Sequence, residues 1–493
     1  MSQTSMDQTS MDQTALDPTV ADRVDAILTR RASVGLALAL VRDGAVEYFR
    51  GHGVADVGTR RPITQDTGFR VASITKTFTA IAVLQLWEQQ RVDLDAPAED
   101  YLRAFRLDRR RMDHREPTLR HLLTHTSGIG EEAGARLWRR DFGESVPPGR
   151  PVPTLAEFYG GRLRLDAEPG TRFRYTDHGI AAAGQVVEDV SGLPLDRYLR
   201  EHVFVPLGMD DTELLLTDDA RARLATGYTL GRGGPRPVTL RSWVQAAASM
   251  ATSTTRDMAR YAAALLGGGA NEHGRVLQPE TLGSMFAAHY QPDPRIPGLG
   301  LGFFRGRLGD HRVVDHQGIL PGFDSELLVA PDDGIAVMVF SNGTRRGMMW
   351  IPSELADLLG SVLEVGPPGV VPQRPEVWGE LCGRYHLPGA ATDLRVRSLV
   401  GAGVEVGVRR GRLVLRALSP VPALLRGMPL EADDRDDPYA FRIDLSRFGL
   451  GPLRVVFSPD PATGAMAVHL DAMPLSAYRT VGRGRWSVAR SRV

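Results

Sequence analysis

Lysine is nearly absent from this chain: Lys76 is the only one in 493 residues, against 58 arginines and 12 histidines. Cysteine is equally scarce. Cys382 stands alone, so no internal disulfide can form and nothing in the sequence marks an oxidising compartment. Charge imbalance is missing too. The formal net charge is zero and the pI about 7.2, which leaves no electrostatic footprint for nucleic acid or a membrane surface. No apolar run approaches the roughly 20 residues that span a bilayer. The N-terminal MSQTSMDQTSMDQTALDPTV lacks the basic and apolar regions of a signal peptide. A soluble, cytoplasmic protein with a disordered tail over residues 1–18 is the expectation. A G-x-S-x-G motif is also lacking, which argues against a nucleophile elbow of the α/β-hydrolase type.

What is present is ordinary globular composition, 42% apolar and 24% charged, on a chain long enough for two or three domains. Val20, Val24, Ile27 and Leu28 predict a short amphipathic helix over Thr19–Arg31. SVGLALALV and AVEYFRGHGVA flank Asp43-Gly44, a strong hairpin signal. Helices are predicted from Ser73 to Gln90, with Phe78, Ile81, Leu84 and Trp87 at helical spacing, near Leu119–His125, near Gly179–Val190 and over Thr255–Leu266. Residues Asp141–Pro153 read as a long loop. SELLVAP and GIAVMVFSN read as adjacent strands around Asp332-Asp333-Gly334. Strands at both ends of a helical middle point to an α+β domain with one antiparallel sheet. GPPGVVPQRP then reads as a linker, and DLRVRSLV, VEVGVRRGRLVLRAL, YAFRIDL, LRVVFSPD and AMAVHLDAM as a second, all-β domain, a small barrel. The expected organisation is a domain over 19–364, a linker over 365–377 and the β domain over 378–493.

The lone lysine sits in VASITKTFTA, three residues after Ser73. Residues i and i+3 share a face at a helix start, so the two can touch. A desolvated lysine can lose its proton and accept that of a serine, whereas a guanidinium stays charged. The bland alternative is a surface lysine that happened not to be an arginine. Tyr175, in FRYTDHG, offers a phenol to shuttle protons near an amine. His316 and Gly318, in DHQGILPGF, lie just before the strand pair, where a backbone N–H can face a bound carbonyl.

Five segments occur in order: S-I-T-K, LRHLLTHTSGI (Leu119–Ile129), EPGTRFRYTDHG (Glu168–Gly179), MATSTTRDMARY (Met250–Tyr261) and DHQGILPGF (Asp315–Phe323). Together they resemble the serine β-lactamase and penicillin-binding-protein-like hydrolases, nearest the class C branch with its esterases and D-aminopeptidases. The resemblance covers about Ala21 to Leu363. It implies a sheet packed with helices plus an all-α lobe, and no cofactor or metal. It makes Ser73 the acylated nucleophile and Lys76 its partner base. Tyr175 becomes the tyrosine of a Y-x-N motif, and His316-Gln317-Gly318 an H-x-G form of K-T-G. The backbone N–H groups of Ser73 and Ile319 would form the oxyanion hole.

Two positions depart from that pattern. Asp177 replaces the motif asparagine, so a group that could donate to an amide carbonyl becomes acceptor-only when ionised. It can also pair with Lys76 and raise its pKa, making Tyr175 the first base, or it can recognise a cationic or N–H-rich substrate. His316 replaces a lysine, leaving a weaker anchor for the carboxylate of a β-lactam. An esterase acting through an acyl-enzyme on a small ester or peptide-like substrate is therefore expected first. A D-residue peptidase, acyl transferase or peptide cyclase follows, then a β-lactamase, with a non-catalytic peptide binder last. His121 and His125 lack the H-E-x-x-H pattern of a zinc site and read as structural. The arginines from Arg106 to Arg120 are interleaved with acids and read as a solvated loop. Trp138, Tyr159 and Trp243 either line the cleft or fill core. The β domain resembles the barrel or lipocalin-like additions of some D-aminopeptidases, as a cleft-shaping or a packing and oligomerisation module. The oligomeric state is not legible.

Overall fold

A computed structural model describes residues 18–480, apart from 31–32, 131–139, 345–350, 389–400, 402, 420, 449–450, 462 and 472. The tail expected over residues 1–18 lies almost wholly outside the described residues, as do DLRVRSLV and Trp138. The chain divides into two compact units. The first comprises Met1–Gln291, Pro297–Pro368 and Leu445–Gly451; the second comprises Pro292–Ile296, Gly369–Asp444 and Pro452–Val493.

In the first unit seven described strands form one sheet: β1 (Gly35–Arg42), β2 (Ala45–Asp56), β3 (Arg61–Pro62), β4 (Phe304–Leu308), β5 (His311–Leu320), β6 (Phe323–Ala330) and β7 (Ile335–Ser341). Their order is β4-β5-β6-β7-β1-β2-β3, and every pairing is antiparallel. Asp43 and Gly44 both hold positive φ, 49° and 83°, as a two-residue hairpin turn between β1 and β2 requires. The sheet is covered on both faces, which explains why GLALALV is apolar throughout rather than alternating. Ala37, Ala39 and Val41 of β1 join one core with Ala336, Met338 and Phe340 of β7. Leu36, Leu38 and Leu40 join a second with α1 (Pro18–Arg30) and Ile351, Leu355 and Leu358 of the helix Ile351–Val362.

The larger core holds the helices that build the site. Helix α2 (Thr75–Glu88) has no apolar stripe in the structure, because every residue from Thr75 to Leu86 is buried. Its threonines are satisfied internally: Thr79 donates to Ala247 O at 2.7 Å, and Thr77 receives the Tyr261 hydroxyl at 2.8 Å. Helix α3 (Asp177–Ser191) is capped by Thr176 and ends at Gly192, whose φ of 78° is left-handed. Helix α4 (Thr255–Leu266) is capped by Thr254, which accepts from Asp257 N.

The second unit is built on nine described strands: β8 (Gly383–His386), β9 (Gly403–Arg409), β10 (Arg412–Ala417), β11 (Met428–Pro429), β12 (Glu431–Ala432), β13 (Ala440–Asp444), β14 (Pro452–Pro459), β15 (Met466–Leu470) and β16 (Ser476–Arg479). They follow the order β11-β10-β9-β8-β16-β15-β14-β13-β12, an antiparallel, nearly closed barrel-like sheet. Phe457 packs edge-on against Phe441, with ring centroids 5.7 Å apart, and against Tyr385 at 6.0 Å. Arg295 belongs to this unit and pairs with Asp293 and Asp437 at 2.7 and 2.8 Å.

Candidate active site

The site forms where a short strand turns into α2. Residues Gly68–Arg70 pair with Thr252–Thr254, and the chain then passes through a 3-10 turn, Ala72–Ile74, directly into the helix. Ala72 holds a left-handed φ of 48°, a conformation that costs a non-glycine residue about 1–3 kcal/mol and must be imposed by its surroundings. Val71 supplies that restraint: its N–H donates to Ala251 O at 3.0 Å and its carbonyl accepts from Ser325 Oγ at 2.9 Å. The continuous turn brings Lys76 back over Ser73, with Nζ 2.9 Å from Oγ. Lys76 is fully buried and Ser73 partly exposed.

Three further groups surround the ammonium. Ala248 O accepts from Nζ at 3.0 Å, and Asp177, the first residue of α3, places Oδ1 2.6 Å away. The Tyr175 ring centroid lies 5.0 Å from Nζ, and Lys76 and Ser73 are near enough to its hydroxyl to pull its pKa down against burial. Burial pushes the lysine pKa down, but Asp177 and Tyr175 together push harder, so the net direction is upward. A lysine made neutral by desolvation is therefore not what the fold produces, because the aspartate in the asparagine position supplies its counter-charge. Burial raises the Tyr175 phenol as well, and the Lys76 ammonium opposes that rise.

His316, Gly318 and Ile319 come from β5. His316 is 1% exposed, and burial, followed by the nearby Lys76 charge, lowers its pKa to about 3, so the ring is neutral at ordinary pH. Nδ1 lies 2.8 Å from Gln317 O, and Nε2 is buried with no partner among the described residues. Gly318 is required by close approach: a Cβ there would lie 2.1 Å from Val71 O and 2.4 Å from Ser325 Oγ. The strand thus lies directly on the turn that carries Ser73, and the residue after the glycine, Ile319, stays at the exposed rim.

Some neighbours of Tyr175 are not assigned to the site by the sequence. His125, held at a φ of 55°, packs its ring 4.5 Å from that of Tyr175, and Phe304 stacks near the same ring at 6.3 Å. Burial and the Lys76 charge hold the His125 pKa well below its usual value, and its Nδ1 accepts from Thr176 N at 3.2 Å. His121 instead caps the helix Leu119–Leu123 through Thr118. Tyr159 bonds the buried His178 at 2.9 Å, and Trp243 lines a cavity beside the end of β5. The Arg106–Arg120 segment is laced with ion pairs such as Arg120–Asp95 and Arg111–Asp113, both at 2.7 Å. Among the described residues no cluster of three or more His, Cys, Asp or Glu is arranged to hold a metal.

A serine held against a basic side chain in this α+β fold places the chain among the serine hydrolases. It belongs to the beta-lactamase family, matched over residues 20–356. Esterase EstB of Burkholderia gladioli is 31% identical over 373 residues, covering 66% of this chain and 92% of that protein. A D-aminopeptidase of Gluconobacter oxydans (strain 621H) is 25% identical over 82% of this chain and 71% of its own length. The octameric penicillin-binding protein homologue from Pyrococcus abyssi shares the fold, with a TM-score of 0.58 at 21% identity over 94% of this chain and 99% of its own.

Proposed function

We propose that the protein is an esterase that acylates Ser73 and releases the acyl group to water. The observation that carries the reading is the Lys76–Asp177 ion pair at 2.6 Å. It keeps Lys76 an ammonium, which can only donate, so Ser73 Oγ accepts at that contact and directs its own proton elsewhere. Tyr175, whose phenol lies beside Lys76 and feels Ser73, is the group placed to take it. In this mechanism Ser73 passes its proton through Tyr175 to the leaving alkoxide, and the ammonium stabilises phenolate character on the way. The N–H groups of Ser73 and Ile319 face the developing oxyanion, a contribution of about 3–4 kcal/mol for one well-placed donor.

The same pair argues for esters over β-lactams. Asp177, engaged with Lys76, offers no N–H to an amide carbonyl, and a neutral His316 supplies no cation for a β-lactam carboxylate. The similarity to EstB agrees with this choice. A peptidase or acyl transferase for D-residues is the second reading, favoured by the similarity to a D-aminopeptidase along most of the chain. The test is a panel of p-nitrophenyl esters, D- and L-aminoacyl amides and a chromogenic cephalosporin, with fluorophosphonate labelling of wild type and Ser73→Ala. Ester turnover with labelling lost in Ser73→Ala is the expected result. Labelling that survives the substitution overturns the nucleophile, and amide turnover above ester turnover favours the peptidase.

A further inference from the structure

A cavity of about 220 Å³ lies beside the end of β5, and none of the groups assigned above to acylation lines it. Three arginines do, Arg70, Arg221 and Arg241, with Asp141 as the one carboxylate in the wall. Arg241 is already engaged, donating to Ser145 Oγ and Ser145 O at 2.8 Å and lying 3.9 Å from Asp141. Arg70 is different. It is 3% exposed, donates from Nη1 to Met250 O at 2.9 Å, and has no ion-pair partner among the described residues; its Nε is buried and unbonded. Burial and the charge of Arg221 lower its pKa to about 10. Arg221 is exposed and likewise pairs with no described carboxylate.

A buried guanidinium without a counter-ion is costly, and a second guanidinium beside it adds repulsion. A ligand that brings the missing anion would relieve both. The planar fork of arginine matches a carboxylate or phosphate in two-point contact. The remaining wall includes Trp243 and Phe323. An apolar surface of that kind favours an organic carboxylate over a bare inorganic anion. The position is informative as well: Arg70 is three residues before Ser73, and the lining residue Leu320 directly follows Ile319.

We propose that this cavity is a subsite for a carboxylate carried by the substrate, and that the enzyme prefers esters with a free carboxylate on a short apolar arm. The proposal rests on the esterase reading, and two measurements keep the two apart. Glutarate is titrated calorimetrically into Ser73→Ala protein, where turnover plays no part. The expected result is saturable binding, weakened about tenfold in Arg221→Ala, the equivalent of about 1.4 kcal/mol. Arg70→Gln is expected to abolish it, with a thermal melt to establish that the variant is folded. In active enzyme, kcat/KM is compared between p-nitrophenyl hemiglutarate and p-nitrophenyl valerate, and between 3-acetoxybenzoate and phenyl acetate. These pairs place the carboxylate on the acyl side or the leaving group. In at least one pair the carboxylated ester is expected to be preferred, and the ratio to fall toward one in Arg221→Ala. Equal turnover within both pairs, or no saturable binding of glutarate, overturns the subsite. Glutarate binding in a protein that turns over no ester removes its substrate role and the esterase reading together.

Discussion

A lysine fully buried in a helix would ordinarily be driven toward its neutral form, and Lys76 is not, because Asp177 meets it. Replacing Asp177 by Asn removes the counter-charge and leaves only Tyr175 to oppose burial, so the lysine pKa falls. If activity needs the ammonium, it is lost as pH rises through that pKa, and the alkaline limb of the kcat/KM profile moves to lower pH in Asp177→Asn. A limb that stays in place would remove the ammonium from the mechanism. The substitution also restores an N–H donor, so amide turnover should rise relative to ester turnover. The S-x-x-K spacing and the rarity of lysine made Ser73 and Lys76 legible in the sequence, and the aspartate was legible as a departure from a motif. His125, Phe304 and the Ala248 carbonyl were not. Two are aromatic contacts created by packing between distant segments, and the third is a backbone atom that no residue type announces.

Elements transmit the site's geometry through close backbone contact, and β5 is where this is tightest. In Gly318→Ala the new Cβ meets the Val71 carbonyl, a backbone atom that has no rotamer to escape into. The strand must withdraw from the Ala72–Ile74 turn and take the Ile319 N–H with it, so kcat should fall on the order of 10²–10³, the scale of losing one oxyanion donor. Steady-state kinetics on a folded variant checks this. The opposite face of the same strand pair makes a second prediction. Gln317 stands directly across from Glu326, and Ile319 across from Asp324. Burial raises Asp315 and Asp324 to about 7, and burial with the charges of Asp315 and Asp324 raises Glu326 well above its usual value. The fold therefore favours the protonated forms. Their stabilisation is complete below the ordinary carboxylate pKa near 4 and is lost as pH rises through about 7. Glu326→Gln should raise Tm at pH 8 and change it little at pH 5, on the order of 2–4 °C for each kcal/mol relieved. Equal shifts at both pH values would contradict the linkage. Sequence spacing located Thr255–Leu266 and the Asp43-Gly44 hairpin because each carries its own cap or turn. Spacing marked α2 as a helix but not its burial on every side, since Thr75, Thr77 and Thr79 are core residues only because their hydroxyls are paired there.

Over the whole molecule, two units with separate cores follow a chain path that composition reveals only in part. The Gly- and Pro-rich stretch after Gly366 announces a change of character, whereas no local signal assigns 292–296 to the second unit or 445–451 to the first. The economy of lysine is the property of the entire sequence with the most direct chemical consequence. Arginine, present 58 times, takes the surface ion pairs that lysine would otherwise share, as in Arg256–Asp66 and Arg312–Asp332, both at 2.7 Å. Arginine stays protonated, so it withstands amine-acylating reagents. Lys76 has 0% side-chain exposure and is held as an ammonium, a form without the lone pair such reagents need. In Ser73→Ala, where the nucleophile cannot itself be acylated, a native sample treated with an N-hydroxysuccinimide ester should therefore take up one label, at its α-amine, as read by intact mass. Unfolding in urea should expose Lys76, let its pKa return to the ordinary lysine value, and add a second label on the peptide containing VASITKTFTA. In Asp177→Asn, where burial is opposed by Tyr175 alone, slow labelling of Lys76 should appear under native conditions at alkaline pH. Rapid labelling of Lys76 in the folded wild type would mean that the lysine is neither buried nor charged, and would remove the basis for routing the serine proton through Tyr175.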